Sequence, residues 1–236
     1  MTDERIWFRA ICATNGLNLS ELQIEQFEAY VAELLSWNTK INLISRKMTD
    51  HVWSRHILGS MSFQFHFDLP ERCKVLDLGT GGGLPGIPIA ILNPKIQVTL
   101  LDSIAKKIKA VNEIISALKL ANVNAVCARA EELKAKDSGS KFDFVISRAV
   151  APVADLVMWS RPLISGHSGA RSEGEITTNG RQMFRPGSII MLKGGDITEE
   201  LEIAKRTCHI DHIESYPLTI NGFESEDLLD KKLIIV

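Results

Sequence analysis

Glycine dominates the stretch of this sequence that is best suited to bind a small molecule. Four of the five residues from Gly79 to Gly83 are glycines. Because glycine has no Cβ and tolerates positive φ angles, a ligand can lie directly against the backbone there. An apolar run at residues 74–78 precedes the glycines, and another at residues 87–92 follows them. This order predicts a buried strand, a tight turn and a helix, the opening unit of a nucleotide-binding α/β domain.

Two carboxylates accompany these glycines. Asp77 lies two residues before Gly79, and Asp102 ends the next apolar run, residues 96–101. A carboxylate at the end of the second strand can reach a ribose diol in the crevice at the carboxyl edge of the sheet. An acid, a glycine loop and a second-strand acid are together typical of Rossmann-like methyltransferases that use S-adenosylmethionine. No Gly-Lys-Ser/Thr follows the glycines, which excludes a P-loop.

A third candidate for chemistry, Arg148, follows an apolar run at residues 142–147. The carboxyl end of this fourth strand should face the reacting methyl group. It carries neither the Asn/Asp-Pro-Pro-aromatic motif that grips an exocyclic amine nor a Pro-Cys nucleophile. An acceptor that is already nucleophilic, such as guanine N7, needs only correct placement and no general base. Arg148 can then grip guanine O6 or a nearby phosphate; the alternative is a structural ion pair within the sheet.

Composition describes an ordinary globular protein. Hydrophobic residues make up 45% of the 236 residues and charged residues 24%, and the net charge is −2. No apolar run approaches the ~20 residues of a membrane span. The first residues lack the features of a signal peptide, and the four cysteines form no Cys-x-x-Cys pair. We therefore expect a cytoplasmic protein with free thiols, no membrane association and no bound metal.

Hydrophobic periodicity divides the chain into an N-terminal helical region, residues 1–68, and an α/β domain, residues 69–236. In the first region we predict a helix at residues 2–15, a second opened by the capping box Ser20-x-x-Gln23, and a third capped by Thr49. The α/β domain is predicted to contain strands at 74–78, 96–101, 123–127, 142–147, 188–193, 209–216 and 231–236, with helices at 86–92, 104–119, 152–160 and 197–206.

This alternation indicates a mostly parallel seven-stranded sheet with helices on both faces. The turn at Asn221-Gly222 indicates that the last two strands are antiparallel. One segment interrupts this alternation of strands and helices. Residues 166–186 are rich in glycine and serine and carry Arg171, Arg181 and Arg185. We predict that this segment is a mobile loop, either a neutral insertion or a basic arm that orders on the substrate.

Specific motifs resemble one family closely. The run Asp77 to Pro88, read as DLGTGGGLPGIP, is similar to the signature of the bacterial RsmG (GidB) proteins, which methylate N7 of a guanine in 16S rRNA. Further similar motifs are WNxKINL at residues 37–43, RHILxS at 55–60, LDSxxKK at 101–107, RAEE at 129–132, SRA at 147–149 and LKG at 192–194. The resemblance covers roughly residues 20–236.

The resemblance implies a class I methyltransferase fold, S-adenosylmethionine as methyl donor, and guanine 527 of 16S rRNA as acceptor. The partner is then the small ribosomal subunit or an assembly intermediate, bound by a monomer. The implied cofactor-binding residues are Asp77, Gly79, Gly81, Leu84, Asp102, Ala130, Glu131 and Arg148. The implied catalytic residues are Arg148, Arg129 and Lys193, the last two at positions suited to RNA or methyl-pocket contacts. The segment 166–186 departs from the family, in which we expect a shorter connection.

Two other functions remain open at this stage. The same glycines could serve an NAD-dependent oxidoreductase, although Asp77 and the lack of a hydride-transfer set disfavour it. A non-catalytic RNA-binding or ribosome-assembly factor could also retain the fold, although Gly79, Asp102 and Arg148 argue against it. Cofactor binding separates the first alternative from a methyltransferase, and a methyl-transfer assay separates the second.

Overall fold

The N-terminal region forms two regular helices. The computed structural model describes residues 2–136, 141–148, 150–165, 180–225 and 230–236. Helix α1 spans Thr2–Thr14 and α2 spans Glu21–Asn38. The predicted capping box is present: Ser20 Oγ accepts a hydrogen bond from Gln23 N, and the Gln23 side chain accepts one from Ser20 N. Together these bonds satisfy amide donors that the first turn of a helix leaves free.

The segment that follows is irregular. It contains a 3₁₀ turn at Arg46–His51, a π-helical stretch at Val52–Leu58, the short helix α3 at Gly59–Met61, and a second 3₁₀ turn at Ser62–Phe65. The prediction that Thr49 caps a regular helix is wrong, because no side chain caps the π-helical stretch. Carbonyl groups of this stretch accept hydrogen bonds from Arg148, which is distant in sequence and which local periodicity cannot reveal. π-Helical turns of this kind are frequent at functional sites.

A central sheet organises the rest of the chain. In the described residues the strands are β1 (Phe67–Asp68), β2 (Lys74–Leu78), β3 (Gln97–Asp102), β4 (Val123–Cys127), β5 (Phe144–Arg148), β6 (Gln182–Met183), β7 (Ile189–Gly194), β8 (Glu214–Pro217) and β9 (Lys231–Ile235). Seven of them form one sheet in the order β4-β3-β2-β5-β7-β9-β8. Within this sheet, adjacent strands from β4 to β7 are parallel. Strand β9 is antiparallel to its neighbours β7 and β8, and the pair β8 and β9 is the one predicted to be antiparallel.

Both faces of this sheet are covered by helices. Along β5 and β7 successive side chains enter different hydrophobic clusters: Phe144 and Ile146 pack on one side, and Val145 on the other. This alternation follows from the two-residue period of a strand. The helices of the α/β domain are α4 (Gly86–Leu92), α5 (Ala105–Leu118), α6 (Ala130–Lys136), α7 (Val153–Ser160) and α8 (Thr198–Cys208). Helices α4 and α5 contact α2, whereas α7 contacts α6 and α8, so the fold is the predicted three-layer α/β arrangement.

Part of the predicted mobile loop lies in the described fold. Residues 166–179 lie outside the described residues, but residues 180–186 are part of the fold. Strand β6 pairs in parallel with β1, and Arg181 Nε donates to Asp68 Oδ1 at 2.8 Å. The ring of Phe184 is 3% exposed and stacks on Phe67. The prediction is therefore wrong for residues 180–186, because an aromatic anchor and an ion pair hold them against residues 66–68.

Candidate active site

A cavity of about 770 Å³ opens at the carboxyl ends of β2, β3, β4 and β5. This volume lies within the range of small-molecule and cofactor sites. Eight of the ten predicted site residues line it: Gly79, Gly81, Leu84, Asp102, Arg129, Ala130, Glu131 and Arg148. The other two, Asp77 and Lys193, are not among the lining residues. Parallel strands end at one edge of the sheet, which explains how residues so distant in sequence converge.

The glycine loop forms the floor of the cavity. The amide groups of Gly79 and Thr80 both donate to Leu101 O, at 2.8 and 2.9 Å, and so tie the loop to the end of β3. Gly81 has a φ of +58°, and a Cβ placed there would meet nothing closer than Leu43 O at 3.8 Å. The space above Gly81 is therefore open, which is what close approach of a ligand to the backbone requires.

Asp77 lies beneath this loop and is fully buried. Its Oδ2 accepts hydrogen bonds from Thr80 Oγ1 at 2.6 Å and from Gly86 N at 2.9 Å. Burial raises the pKa of Asp77 to about 7, against the opposing effect of these two hydrogen bonds. Asp77 thus joins both ends of the glycine loop, and the structure places it behind the loop rather than on the cavity wall.

Asp102 stands at the tip of β3 and does line the cavity. Its Oδ1 accepts from Ile104 N at 2.9 Å, and its Oδ2 accepts from Gly81 N at 3.1 Å. Lys107 Nζ lies 3.8 Å from Oδ2. The carboxylate is therefore oriented by the backbone on either side of the crevice, at the position predicted for a ribose-binding acid.

The residues after β4 form a second wall. Ala130 is buried, whereas Arg129 and Glu131 are exposed at the rim. Ala130 begins α6, a helix that the sequence analysis did not predict. Arg129 N donates to Glu132 Oε2 at 3.3 Å, which fixes the chain as it enters α6.

The N-terminal region supplies a third wall, which sequence reasoning missed. Leu43, Ile44 and Ser45 line the cavity. The buried Asn38 Oδ1 accepts hydrogen bonds from Leu43 N at 2.8 Å and Ile44 N at 2.9 Å, and so shapes this loop. The WNxKINL motif at residues 37–43 contains Asn38 and Leu43, but the motif alone did not reveal that this loop lines the cavity.

Arg148 connects residues 55–60 of the N-terminal region to the sheet. Its Nη1 donates to His56 O at 2.9 Å and to Ser60 Oγ at 2.5 Å. Its Nη2 donates to Arg55 O at 3.3 Å and contacts His56 Nδ1 at 3.0 Å. The four terminal N–H groups of the guanidinium are thus engaged by the protein. The sequence analysis placed Arg148 correctly at the cavity, but the expectation that its terminal donors grip guanine does not fit these contacts.

His56 also lines the cavity, and the sequence analysis did not select it as a site residue. Its side chain is almost completely buried, with 5% of the residue exposed. Burial, together with the charges of Arg148 and Arg55, lowers the pKa of His56 to about 4. The imidazole is therefore neutral near pH 7. The RHILxS motif contained this residue, but the motif alone did not reveal its contact with Arg148.

Lys193 is held away from the cavity. Its Nζ lies 2.6 Å from Glu200 Oε1 and donates to Ala151 O at 2.8 Å. The same Glu200 oxygen accepts from Val153 N at the start of α7. The pair thereby fixes residues 151–153, directly after the end of β5.

Comparison with known proteins agrees with this geometry. A family model described as GidB, rRNA small subunit methyltransferase G, matches residues 23–229. The chain belongs to this family. The match includes the glycine loop, the carboxyl ends of β2 to β5 and residues 38–60 of the N-terminal region. Family membership sets aside the oxidoreductase alternative.

Curated relatives extend over most of the chain. The ribosomal RNA small subunit methyltransferase G of Chlorobium luteolum is 40% identical over 205 residues, covering 87% of this chain and 76% of that protein. The protein of the same name from Flavobacterium psychrophilum is 37% identical over 218 residues, covering 92% of each. This family member is therefore similar to its relatives in both of its regions.

A solved structure shows the same fold at low sequence identity. The crystal structure of a fibrillarin/Nop5p complex matches with a TM-score of 0.51 and 13% identity, covering 77% of this chain and 80% of the other. Its sheet order and the methyltransferase family that it belongs to give this protein the Rossmann-like class I methyltransferase fold, as predicted. Among the helices that the structure describes, none combines the length and apolar character needed to cross a bilayer. The same ranges contain no group of three His, Cys, Asp or Glu side chains placed to hold a metal ion.

Proposed function

We propose that this protein transfers a methyl group from S-adenosylmethionine to N7 of a guanine, guanine 527, in 16S rRNA. One observation carries the proposal: a single cavity joins the glycine loop and Asp102 to the Arg148–His56 pair at the end of β5. The end formed by the glycine loop and Asp102 suits a nucleoside cofactor. The end formed by Arg148 and His56 suits a base that needs placement rather than activation.

The residues at the cofactor end fit S-adenosylmethionine. The open space above Gly81 accepts a ligand against the backbone, and Asp102 presents a carboxylate to the ribose diol. Ala130 offers a buried apolar surface for the adenine, with Glu131 beside it. Gly79 and Leu84 complete the floor and wall. When bound, S-adenosylmethionine supplies an electrophilic methyl group on a sulfonium.

Among the described residues at the acceptor end, none is placed as a general base. His56 is neutral, but its Nδ1 faces an Arg148 N–H donor, so this nitrogen cannot accept a proton while the contact lasts. Methylation of guanine N7 fits this environment, since the lone pair of N7 attacks the methyl carbon as the carbon–sulfur bond breaks. No proton is transferred, and the base gains the positive charge. The site therefore acts by proximity, orientation and exclusion of water.

The remaining predicted residues support this site indirectly. We propose that Asp77 shapes the glycine loop and that Lys193, through Glu200 and Ala151, positions the chain after β5. Arg129 at the rim is suited to a phosphate of the RNA, since phosphate contacts position a nucleic acid on its protein. We further propose that a monomer acts in the cytoplasm, on the small ribosomal subunit or an assembly intermediate.

A complementation experiment tests this function. A bacterial strain that lacks its own family member should lose 7-methylguanine at position 527, and expression of this protein should restore it. Mass spectrometry of the rRNA fragment measures the modification. A non-catalytic assembly factor would leave the fragment unmodified, and restoration at another position would overturn the proposed substrate.

A further inference from the structure

We propose that the Nε2–H group of His56 donates a hydrogen bond to O6 of the guanine that receives the methyl group. The inference rests on the proposed function and deepens it, because it names the residue that recognises the base. His56, rather than Arg148, then contacts O6 of the guanine.

The tautomer of His56 follows from its contact with Arg148. A guanidinium has donors only, so the His56 Nδ1 that lies 3.0 Å from Nη2 must be the acceptor. Because the buried ring is neutral, the remaining proton is on Nε2. Arg148 thereby fixes which ring nitrogen carries the donor.

Nε2 is the part of this pair with an unmet hydrogen bond. It is one of three buried side-chain nitrogen or oxygen atoms in the described residues that have no partner, and of the three residues His56 alone lines the cavity. Buried polar groups in folded proteins are normally satisfied, and an exception calls for an explanation. The proposed contact therefore requires the entering base to displace the atoms that cover Nε2, and it gives this buried donor the partner that it lacks.

Guanine O6 is the acceptor that fits this donor. Guanine presents N7 and O6 side by side on one edge, and methylation requires that N7 stay free. The methylated base carries a positive charge, which a cation in direct contact would repel. A neutral imidazole donor repels it less. Adenine has an amino donor in place of O6, and Nε2–H would oppose it. The contact therefore both places the base and selects guanine.

Two substitutions separate this role from the structural role of the ring. In His56→Asn, the side-chain oxygen can replace Nδ1 as the acceptor for Arg148, but the distal donor is lost. In His56→Gln, the longer side chain can return an amide donor to the distal position. We expect kcat/KM on 16S rRNA to fall roughly tenfold in His56→Asn, the loss of about one neutral hydrogen bond, and to recover partly in His56→Gln.

A modified RNA tests the atom itself. In 16S rRNA ligated to carry 2-aminopurine at the target position, N7 is retained but O6 is absent. The kcat/KM of wild type should fall roughly tenfold on this RNA relative to unmodified RNA. The kcat/KM of His56→Asn, already reduced, should fall little further. Equal losses in both proteins would overturn the proposal. Wild type alone can also overturn the proposal: an undiminished kcat/KM on the modified RNA would show that no contact to O6 contributes. If His56→Asn folds poorly, His56→Gln replaces it in the comparison, and its loss should be intermediate.

Cofactor binding and pH complete the test. The carboxylate of S-adenosylmethionine is another oxygen acceptor, so calorimetry must show unchanged cofactor affinity in His56→Asn; weaker binding would assign Nε2–H to the cofactor and overturn the proposal. The charged groups acting on the ring, Arg148 and Arg55, are both cations that oppose its protonation. With S-adenosylmethionine saturating, so that the titration of Asp77 beneath the cofactor loop does not limit the reaction, the kcat/KM of wild type on RNA should then be flat from about pH 6 to 8. Failure of wild type to methylate any guanine would instead refute the proposed function.

Discussion

At the scale of single residues, burial decides what the charged side chains of this site can do. The sequence placed Asp77 beside the glycine loop and Arg148 at the end of a strand, and both positions are as predicted. The contacts of Arg148 were not predicted, because its partners His56 and Ser60 are about 90 residues away in sequence. The partners of Asp77, Thr80 and Gly86, are local, but only the structure shows that they hold Asp77 behind the loop. Arg148 donates hydrogen bonds to carbonyl groups of a π-helical stretch. Asp77 was expected to bind the ligand, but it accepts hydrogen bonds from the glycine loop instead.

The raised pKa of Asp77 gives a prediction for stability. Its pKa in the folded protein is about 7, above its ordinary value of 3.8, so between these values the folded state binds more protons than the unfolded state. The free energy of unfolding should therefore fall as the pH rises through this window. In Asp77→Asn, which cannot ionise, this contribution is absent.

Chemical denaturation from pH 5 to 8 measures the difference. Relative to Asp77→Asn, wild type should lose stability with a slope of up to about 1.4 kcal/mol per pH unit below pH 7, and the difference should level off above it. Parallel stability curves for the two proteins would show that Asp77 has the same pKa folded and unfolded.

At the scale of elements, the glycine loop illustrates what sequence can specify. Strand β2, the loop and α4 lie where predicted, since apolar runs, glycines and prolines encode them locally. The wall built by Asn38 and the π-helical stretch at Val52–Leu58 was not predicted, because tertiary contacts determine their conformation. Phe184 was assigned to a mobile loop for the same reason: only the fold reveals the aromatic cluster that it joins.

Gly81 permits a matched test of the loop. Gly81→Val should abolish detectable S-adenosylmethionine binding, because the side chain would enter the open space of the cavity. Gly195 has a similar left-handed conformation, with φ of +79° against +58°, and a Cβ there would meet nothing within 4 Å. Gly195→Val thus controls for backbone strain alone.

Calorimetry of both variants with S-adenosylmethionine, after their folding has been checked by circular dichroism, gives the answer. Gly195→Val should bind like wild type. If Gly81→Val also bound normally, the cofactor would not lie against this loop.

At the scale of the whole molecule, the two regions of the chain form one site. Buried side chains of α1 and α2 share a hydrophobic cluster with side chains of β2, β3 and α4. Tyr30 on α2 donates to Gly82 O at 2.9 Å, and Arg148 on β5 holds the segment at residues 55–60. The N-terminal region is therefore part of the site, and we expect that the α/β domain alone would lack a wall of its cavity.

The proposed reaction is methyl transfer to guanine N7, without a general base, at a single site of the small-subunit rRNA. The most direct measurement uses the purified protein, S-adenosylmethionine and small subunits from a strain that lacks the modification. Borohydride and aniline treatment then cleaves the rRNA at 7-methylguanine, and primer extension maps the break. We predict one new break, at guanine 527, and a rate constant for single-turnover transfer that is independent of pH from about 6 to 8. Methylation of a different atom or position, or a rate that rises with the ionisation of a base, would refute the proposed reaction.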